Sequence, residues 1–183
     1  YLILPQNLKI GHYRIEEVTA PDGYTINKNY AEIKVDSDTL YQIEPVSGDA
    51  IIEVVYENHP VKGELTVVKK GEVLKDYGKD FKYEMENLAG AVFAIYAAED
   101  IYTADFQKDD AGNRILEYAK DTLVAELTTD ETGSATIKNL PLGNYRVVEK
   151  TAPDGFVHKK AEQNVQFVYV DQDTPAVVES VEF

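Results

Sequence analysis

Two stretches of the chain are near copies of each other, and this repetition narrows the possible folds more than any other feature. Residues 8–24 read LKIGHYRIEEVTAPDGY and residues 140–156 read LPLGNYRVVEKTAPDGF, with 10 identities in 17 positions and mostly conservative differences elsewhere. Internal similarity of this kind marks two copies of one structural unit. Each copy holds a short alternating run ending in Glu17 or Glu149, then Thr-Ala-Pro-Asp-Gly after one further residue. The run is strand-like. The segment after it has turn chemistry, because Pro pre-sets φ, Asp hydrogen-bonds its own backbone and Gly accepts positive φ.

The surroundings of the second copy follow the same grammar. Residues 64–69, 91–97, 123–128, 134–137, 145–149, 163–170 and 176–183 are rich in Val, Ile, Tyr, Phe and Thr and read as strands. Asp/Gly clusters at 109–113 and 130–133 separate them. Residues 99–121 are longer and more polar, and read as an inserted excursion with a helical turn. The first copy has only the later part of this pattern, with strands expected at 13–18, 31–35, 40–43 and 50–56 before Asn58-His59-Pro60. Pro60 and Gly63 bracket the crossover between copies. The expected organisation is all-β, as tandem sandwiches: residues 1–60 are the C-terminal portion of a first domain, and 61–183 a second, nearly complete one lacking the end of its last strand.

Composition removes several function classes. A net charge of −15, from 33 acidic against 18 basic residues, opposes nucleic acid and anionic lipid. There is no Cys, and His12, His59 and His158 are scattered, so neither a disulfide framework nor a metal site is expected. No apolar run approaches the roughly 20 residues of a membrane span.

Strand alternation then singles out four polar residues. Lys69 shares a face with Leu65 and Val67, Glu149 with Tyr145 and Val147, and Glu17 with Tyr13 and Ile15. Asn58 extends the Ile52, Val54, Tyr56 face. Each unit thus sets polar groups at the inner ends of its strands. The competing assignments are Lys70 as the inward lysine, surface roles for the two glutamates, and a simple turn role for Asn58 ahead of His59-Pro60.

The set L-x-x-G-x-Y-R-x-x-E-x-x-A-P-D-G-[YF], preceded by a V-x-K strand and by Ala89-Gly-Ala-Val-Phe-Ala-Ile-Tyr96, resembles the B-type repeat domain of Gram-positive collagen adhesins and the related backbone pilin domains. The resemblance covers nearly the whole chain. It implies a reverse immunoglobulin-like sandwich and an intramolecular isopeptide bond between a Lys on the first strand and an Asn or Asp on the last, assisted by a central acid. Position by position, it makes Lys69 the amine donor of the second unit, Glu149 and Glu17 the promoting acids, and Asn58 the amide acceptor of the first unit. Burial disfavours the charged forms of a Lys–Glu pair, which inclines the two to exchange a proton and leaves an amine able to attack an amide. Each site is expected to be half represented: the first unit lacks its Lys strand, and the counterpart of Asn58 in the second falls two residues past Phe183. No cofactor is implied.

Other patterns fail on chemistry. Glu16 and Glu17 are adjacent strand residues on opposite faces, so they cannot flank a sugar. Residues 105–117 lack the ligand spacing of a calcium loop. Residues 4–7 (LPQN) and 140–143 (LPLG) are not sorting signals for wall attachment. The reading is therefore a stalk segment of a surface-anchored, extracellular bacterial protein, partnered by neighbouring repeats and not an enzyme beyond single-turnover self-cross-linking. The alternative is a module that binds a host protein or glycan through 99–121 or an exposed sheet face.

Overall fold

The computed structural model describes residues 8–38, 41–43, 45–48, 50–104 and 107–183, and among these there are strands but no helix. The chain divides into two compact units, Tyr1–Ala20 with Ile26–His59, and Pro21–Thr25 with Pro60–Phe183. Pro21–Thr25 belongs by sequence to the first copy but is built into the second unit. There Tyr24 bridges Pro60, and the Val61 amide donates to the Gly23 carbonyl at 2.8 Å.

In the first unit, β1 (Gly11–Glu16) pairs antiparallel with β2 (Tyr30–Val35), and β3 (Gln42–Ile43) with β4 (Ala50–Ile51). The strand expected at 50–56 is therefore only two residues long, and Leu40, the expected start of another, lies outside the described residues. Residues 52–58 still alternate between exposed and half-buried. A side chain docks them in place of a ladder: the Tyr56 hydroxyl donates to the Ile15 carbonyl at 2.5 Å and accepts from the Ala31 amide at 3.1 Å.

The second unit contains β5 (Lys62–Val68), β6 (Lys70–Asp76), β7 (Lys82–Asn87), β8 (Val92–Ala97), β9 (Ile101–Tyr102), β10 (Leu116–Tyr118), β11 (Leu123–Thr128), β12 (Ser134–Leu140), β13 (Gly143–Thr151), β14 (Glu162–Phe167) and β15 (Ala176–Glu182). One sheet has the order β11-β8-β13-β14 and the other β12-β5-β15. Their facing sides form one core of Leu65, Val67, Phe93, Ile95, Tyr145, Val147, Val165 and Phe167, among others. Burying each of these large side chains contributes about 1.5–3 kcal/mol. First and last strands of the unit, β5 and β15, lie side by side and parallel, with Ala176 opposite Lys62 and Glu182 opposite Val68. This is the all-β sandwich that the residue pattern implies, in the immunoglobulin-like form that the family resemblance implies.

Three sequence expectations are corrected. The strand expected at 163–170 stops at Phe167, because its partner β13 begins at Gly143, the residue opposite Phe167. The β6–β7 hairpin has no counterpart in the sequence reading: its strands are heavily charged and β6 contains a glycine, which hides the alternation. The described residues of 99–121 contain no helical turn. The short β9 and β10 pair with each other, and Ile101 is buried in the core, so the excursion is tied to the sandwich at its base.

Gly63 lies inside β5, where the sheets approach closely. A Cβ there would come within 2.7–2.9 Å of three Phe167 ring atoms. Gly63→Ala is expected to destabilise the unit by about 1–3 kcal/mol through overpacking. Urea unfolding would register this as a lower midpoint at unchanged slope; an unchanged midpoint would mean that the ring has room to move.

Candidate functional site

Leu65 and Val67 of β5 are fully buried, and the next residue on that face is Lys69, 9% exposed. Lys69 joins β5 to β6 without breaking the line. Its amide donates to the Gly133 carbonyl at 2.9 Å, and its carbonyl accepts from the Leu88 amide at 2.8 Å. Lys70 points the other way and pairs with Glu182 at 2.6 Å on the surface. Across the core, Tyr145, Val147 and Glu149 form the buried face of β13, and Glu149, opposite Phe93, is 1% exposed.

The two side chains meet: Lys69 Nζ stands 2.7 Å from Glu149 Oε1. The contact is an ion pair by distance, and among the described residues neither carboxylate oxygen has a hydrogen-bond partner of regular geometry. A buried ion pair with so little hydrogen bonding gains less than its desolvation costs, so its presence is poorly explained by stability. Strand β15 ends beside this pair. The Phe183 amide donates to the Val68 carbonyl at 2.9 Å, the Lys70 amide donates to the Phe183 carbonyl at 2.7 Å, and the Phe183 ring lies 4.8 Å from that of Phe93.

In the first unit, Glu17 and Asn58 come together. Asn58 Nδ2 donates to Glu17 Oε2 at 2.7 Å, and the Asn27 amide donates to the same oxygen at 2.7 Å. The Tyr56 hydroxyl, two residues before Asn58, fixes that segment against β1. The glutamate of the repeat therefore holds a lysine in one unit and an asparagine in the other.

The repeat encodes its own supports. Tyr13 donates to the Lys9 carbonyl at 2.6 Å and Tyr145 to the Pro141 carbonyl at 2.7 Å, a latch four residues long in both copies. Burial, with smaller contributions from Tyr118 and Glu117, pushes the Tyr145 hydroxyl well above its ordinary value, so it remains a donor. Pro21 accepts from the Tyr24 amide and Pro153 from the Phe156 amide, both at 3.0 Å, with Gly23 at φ 82° and Gly155 at φ 83°. Sequence reasoning missed the tyrosine latch, whose signal is the L-x-x-G-x-Y spacing itself. It also missed His158, whose Nε2 donates to the Glu149 carbonyl at 2.7 Å, and the repeated stacking of Arg14 over Tyr30 and Arg146 over Tyr96.

In the 99–121 excursion, Asp109 Oδ1 accepts from the Ala111 and Asn113 amides at 3.0 and 2.7 Å. The backbone and side chain of Asn113 hold this carboxylate below its ordinary range. Its oxygens close a turn. No group of three or more His, Cys, Asp or Glu residues suited to a metal ion occurs among the described residues.

Removing one partner of the buried pair should cost far more than removing both. Lys69→Met alone is expected to destabilise the second unit by about 3–5 kcal/mol, whereas Lys69→Met with Glu149→Leu should be close to neutral. Denaturant unfolding of the two single variants and the double variant checks this, and additive losses would mean the charges are independently solvated.

Comparison with known proteins bears on the fold. Residues 2–48 and 79–182 match the SpaA family, a prealbumin-like fold domain. Among solved structures, the TIE protein of Bacillus anthracis aligns at 26% identity and a TM-score of 0.52, over 96% of this chain and 25% of that one. The full-length major pilin SpaD of Corynebacterium diphtheriae aligns at 30% identity and a TM-score of 0.39, over 66% of this chain and 31% of that one. The pilus 2b backbone protein of group B streptococcus aligns at 23% identity and a TM-score of 0.39, over 91% of this chain and 51% of that one. The chain thus spans between a quarter and about half of the length of these proteins. No curated protein matches it. By the family match over most of its length, the chain belongs to the SpaA family of prealbumin-like fold domains.

Proposed function

We propose that the chain is a stalk segment of a protein on the outside of a Gram-positive cell, and that its units are locked by intramolecular Lys–Asn isopeptide bonds they form themselves. The observation behind this reading is the pair of half-sites at equivalent repeat positions: Lys69 on Glu149 and Asn58 on Glu17, each at 2.7 Å. Overlaid through the repeat, they supply an amine and an amide around one glutamate carboxyl group.

The chemistry is balanced without a cofactor. Lys69 passes a proton to Glu149, and the neutral Nζ attacks the amide carbon of an asparagine, forming the new C–N bond. Glu149 hydrogen-bonds the carbonyl oxygen as charge develops there, then relays a proton to the amide nitrogen, which departs as ammonia with the electrons of the broken bond. Glu149 then takes the second proton that Nζ loses as the amide forms, so it ends as the carboxylic acid, and there is no redox change. Proximity in the folded unit accounts for roughly 7–11 kcal/mol of the barrier. The acceptor of the second unit is assigned two residues past Phe183, by analogy with Asn58 two residues past Tyr56. Because β5 and β15 are parallel neighbours, a bond between them would put a pulling load on covalent chemistry and restrict the unfolded chain as a disulfide does. The partners of such a segment are the neighbouring repeats of the same polypeptide.

A second reading, an adhesive module for a host protein or glycan, is favoured by the exposure of Ile115 and Leu116, 41% and 47%, on the 99–121 excursion. It requires retention on arrayed host matrix components that is lost in Leu116→Asp.

The cross-link is tested by intact mass. The chain is extended past Phe183 by Glu-Asn-His-Pro, the sequence that follows Tyr56 in the first unit. The expected product is lighter by one ammonia, with Lys69 joined to the added Asn by peptide mapping, while Glu149→Ala keeps its full mass. Full mass in both would reduce Lys69 and Glu149 to a buried ion pair and overturn the proposal.

A further inference from the structure

The Pro-Asp-Gly turn of the repeat is built twice with the same geometry, yet it is covered in one copy and open in the other. Both turns close with a 3.0 Å bond from the aromatic amide to the Pro carbonyl, and Gly23 and Gly155 stand at φ 82° and 83°. In the first copy the turn receives an extended segment. Tyr24 forms an antiparallel bridge with Pro60, and the Gly23 carbonyl accepts from the Val61 amide at 2.8 Å. Pro60, which has no N–H, takes the non-hydrogen-bonded position of that bridge, where side chains come closest, and its neighbours make the bonds. The contact excludes water: Tyr24 is 8% exposed and Val61 2%.

The second copy presents the same edge uncovered. Among the described residues, neither the Gly155 carbonyl nor the Val157 amide has a hydrogen-bond partner. Phe156 is half-buried where Tyr24 is buried, and Gly155 is exposed where Gly23 is half-buried. Val157 is 82% exposed where Thr25 is half-buried. The open copy is also the more apolar one, with Phe-Val in place of Tyr-Thr. Pro153, Asp154 and Phe156 line, with Leu88 and Gly90, an adjoining groove of about 420 Å³, within the range of small-ligand sites. Apolar side chains beside open main-chain groups suit docking better than solvation.

We propose that the second turn, residues 153–157, is a docking site for an extended Pro-aliphatic segment of a partner protein, bound as the first turn binds Pro60-Val61. The chemistry of the occupant is read from that pair. Its Pro lies opposite Phe156 with no amide to desolvate, the aliphatic residue after it donates to the Gly155 carbonyl, and the carbonyl before it accepts from the Val157 amide. Pro also biases the residue before it toward the extended form, which lowers the ordering cost of binding. Asp154 beside the groove and the net charge of −15 favour a segment that carries Lys or Arg, as Lys62 follows Val61. Pro60-Val61 itself is held by the first turn, so the segment is supplied from outside the chain. Such docking requires no cross-link.

The test is a titration of the chain with the peptide Asn-His-Pro-Val-Lys-Gly, the sequence of residues 58–63, followed through amide chemical shifts. Saturable shifts are expected at Gly155, Phe156 and Val157, with an affinity on the order of millimolar, while Gly23 and Tyr24, already covered by Val61 and Pro60, stay unmoved. A peptide with Pro in place of the Val lacks the donor to Gly155 and should bind about tenfold more weakly. Val157→Asp, a change at an exposed side chain, should weaken binding of the Val peptide by a similar factor and leave shifts in the core strands unchanged. Absence of shifts at residues 155–157 in millimolar peptide overturns the proposal, as does equal binding of the two peptides. Shifts there that grow with protein concentration in the absence of peptide would assign the turn to a second copy and overturn it as well.

Discussion

Everything distinctive about the second unit is organised around an ion pair placed where an ion pair is expensive. Lys69 and Glu149 each complete a strand face whose other members are Leu65, Val67, Tyr145 and Val147, all buried. Hydrophobic residues of similar volume would fill this space at lower desolvation cost. The fold nevertheless brings ammonium and carboxylate to 2.7 Å and, among the described residues, offers the carboxylate no hydrogen-bond donor of regular geometry. Stability alone therefore gives a poor account of the pair.

The supports of the pair are local and repeated. The tyrosine latch and the Pro-Asp-Gly turn lie on either side of the glutamate in both copies, and each is closed by hydrogen bonds no more than four residues long. Such elements form with little loop-closure entropy and reproduce themselves wherever the sequence recurs. The residue that meets the glutamate arrives from far along the chain: Lys69 in one unit, Asn58 in the other. The repeat thus fixes the acid, and long-range strand pairing selects what it faces.

Legibility in the sequence followed the same division. Alternation located the strands that line the core, and it picked Lys69, Glu149, Glu17 and Asn58 as inward-facing, because a side-chain period of two is a property of the backbone alone. It gave no view of β6 and β7, whose residues satisfy each other across a charged hairpin and not through a buried face. It also overran β14, since Val168 and Val170 have strand propensity but, among the described residues, no partner strand beside them. The 99–121 excursion misled for a related reason. Its polar length suggested a helical turn, whereas burial of Ile101 and the Asp109 turn make it a hairpin.

What the sequence by itself determined is the local grammar: an all-β chain, a repeated unit, an acid at a fixed place before a Pro-Asp-Gly turn, and a glycine wherever positive φ closes that turn. What only tertiary structure decided is adjacency. No spacing rule says that β5 lies parallel to β15, that Pro21–Thr25 is built into the second unit, or that Gly63 must be bare because Phe167 presses on it. Those facts arise from packing two sheets face to face, where each side chain's neighbours come from strands tens of residues away.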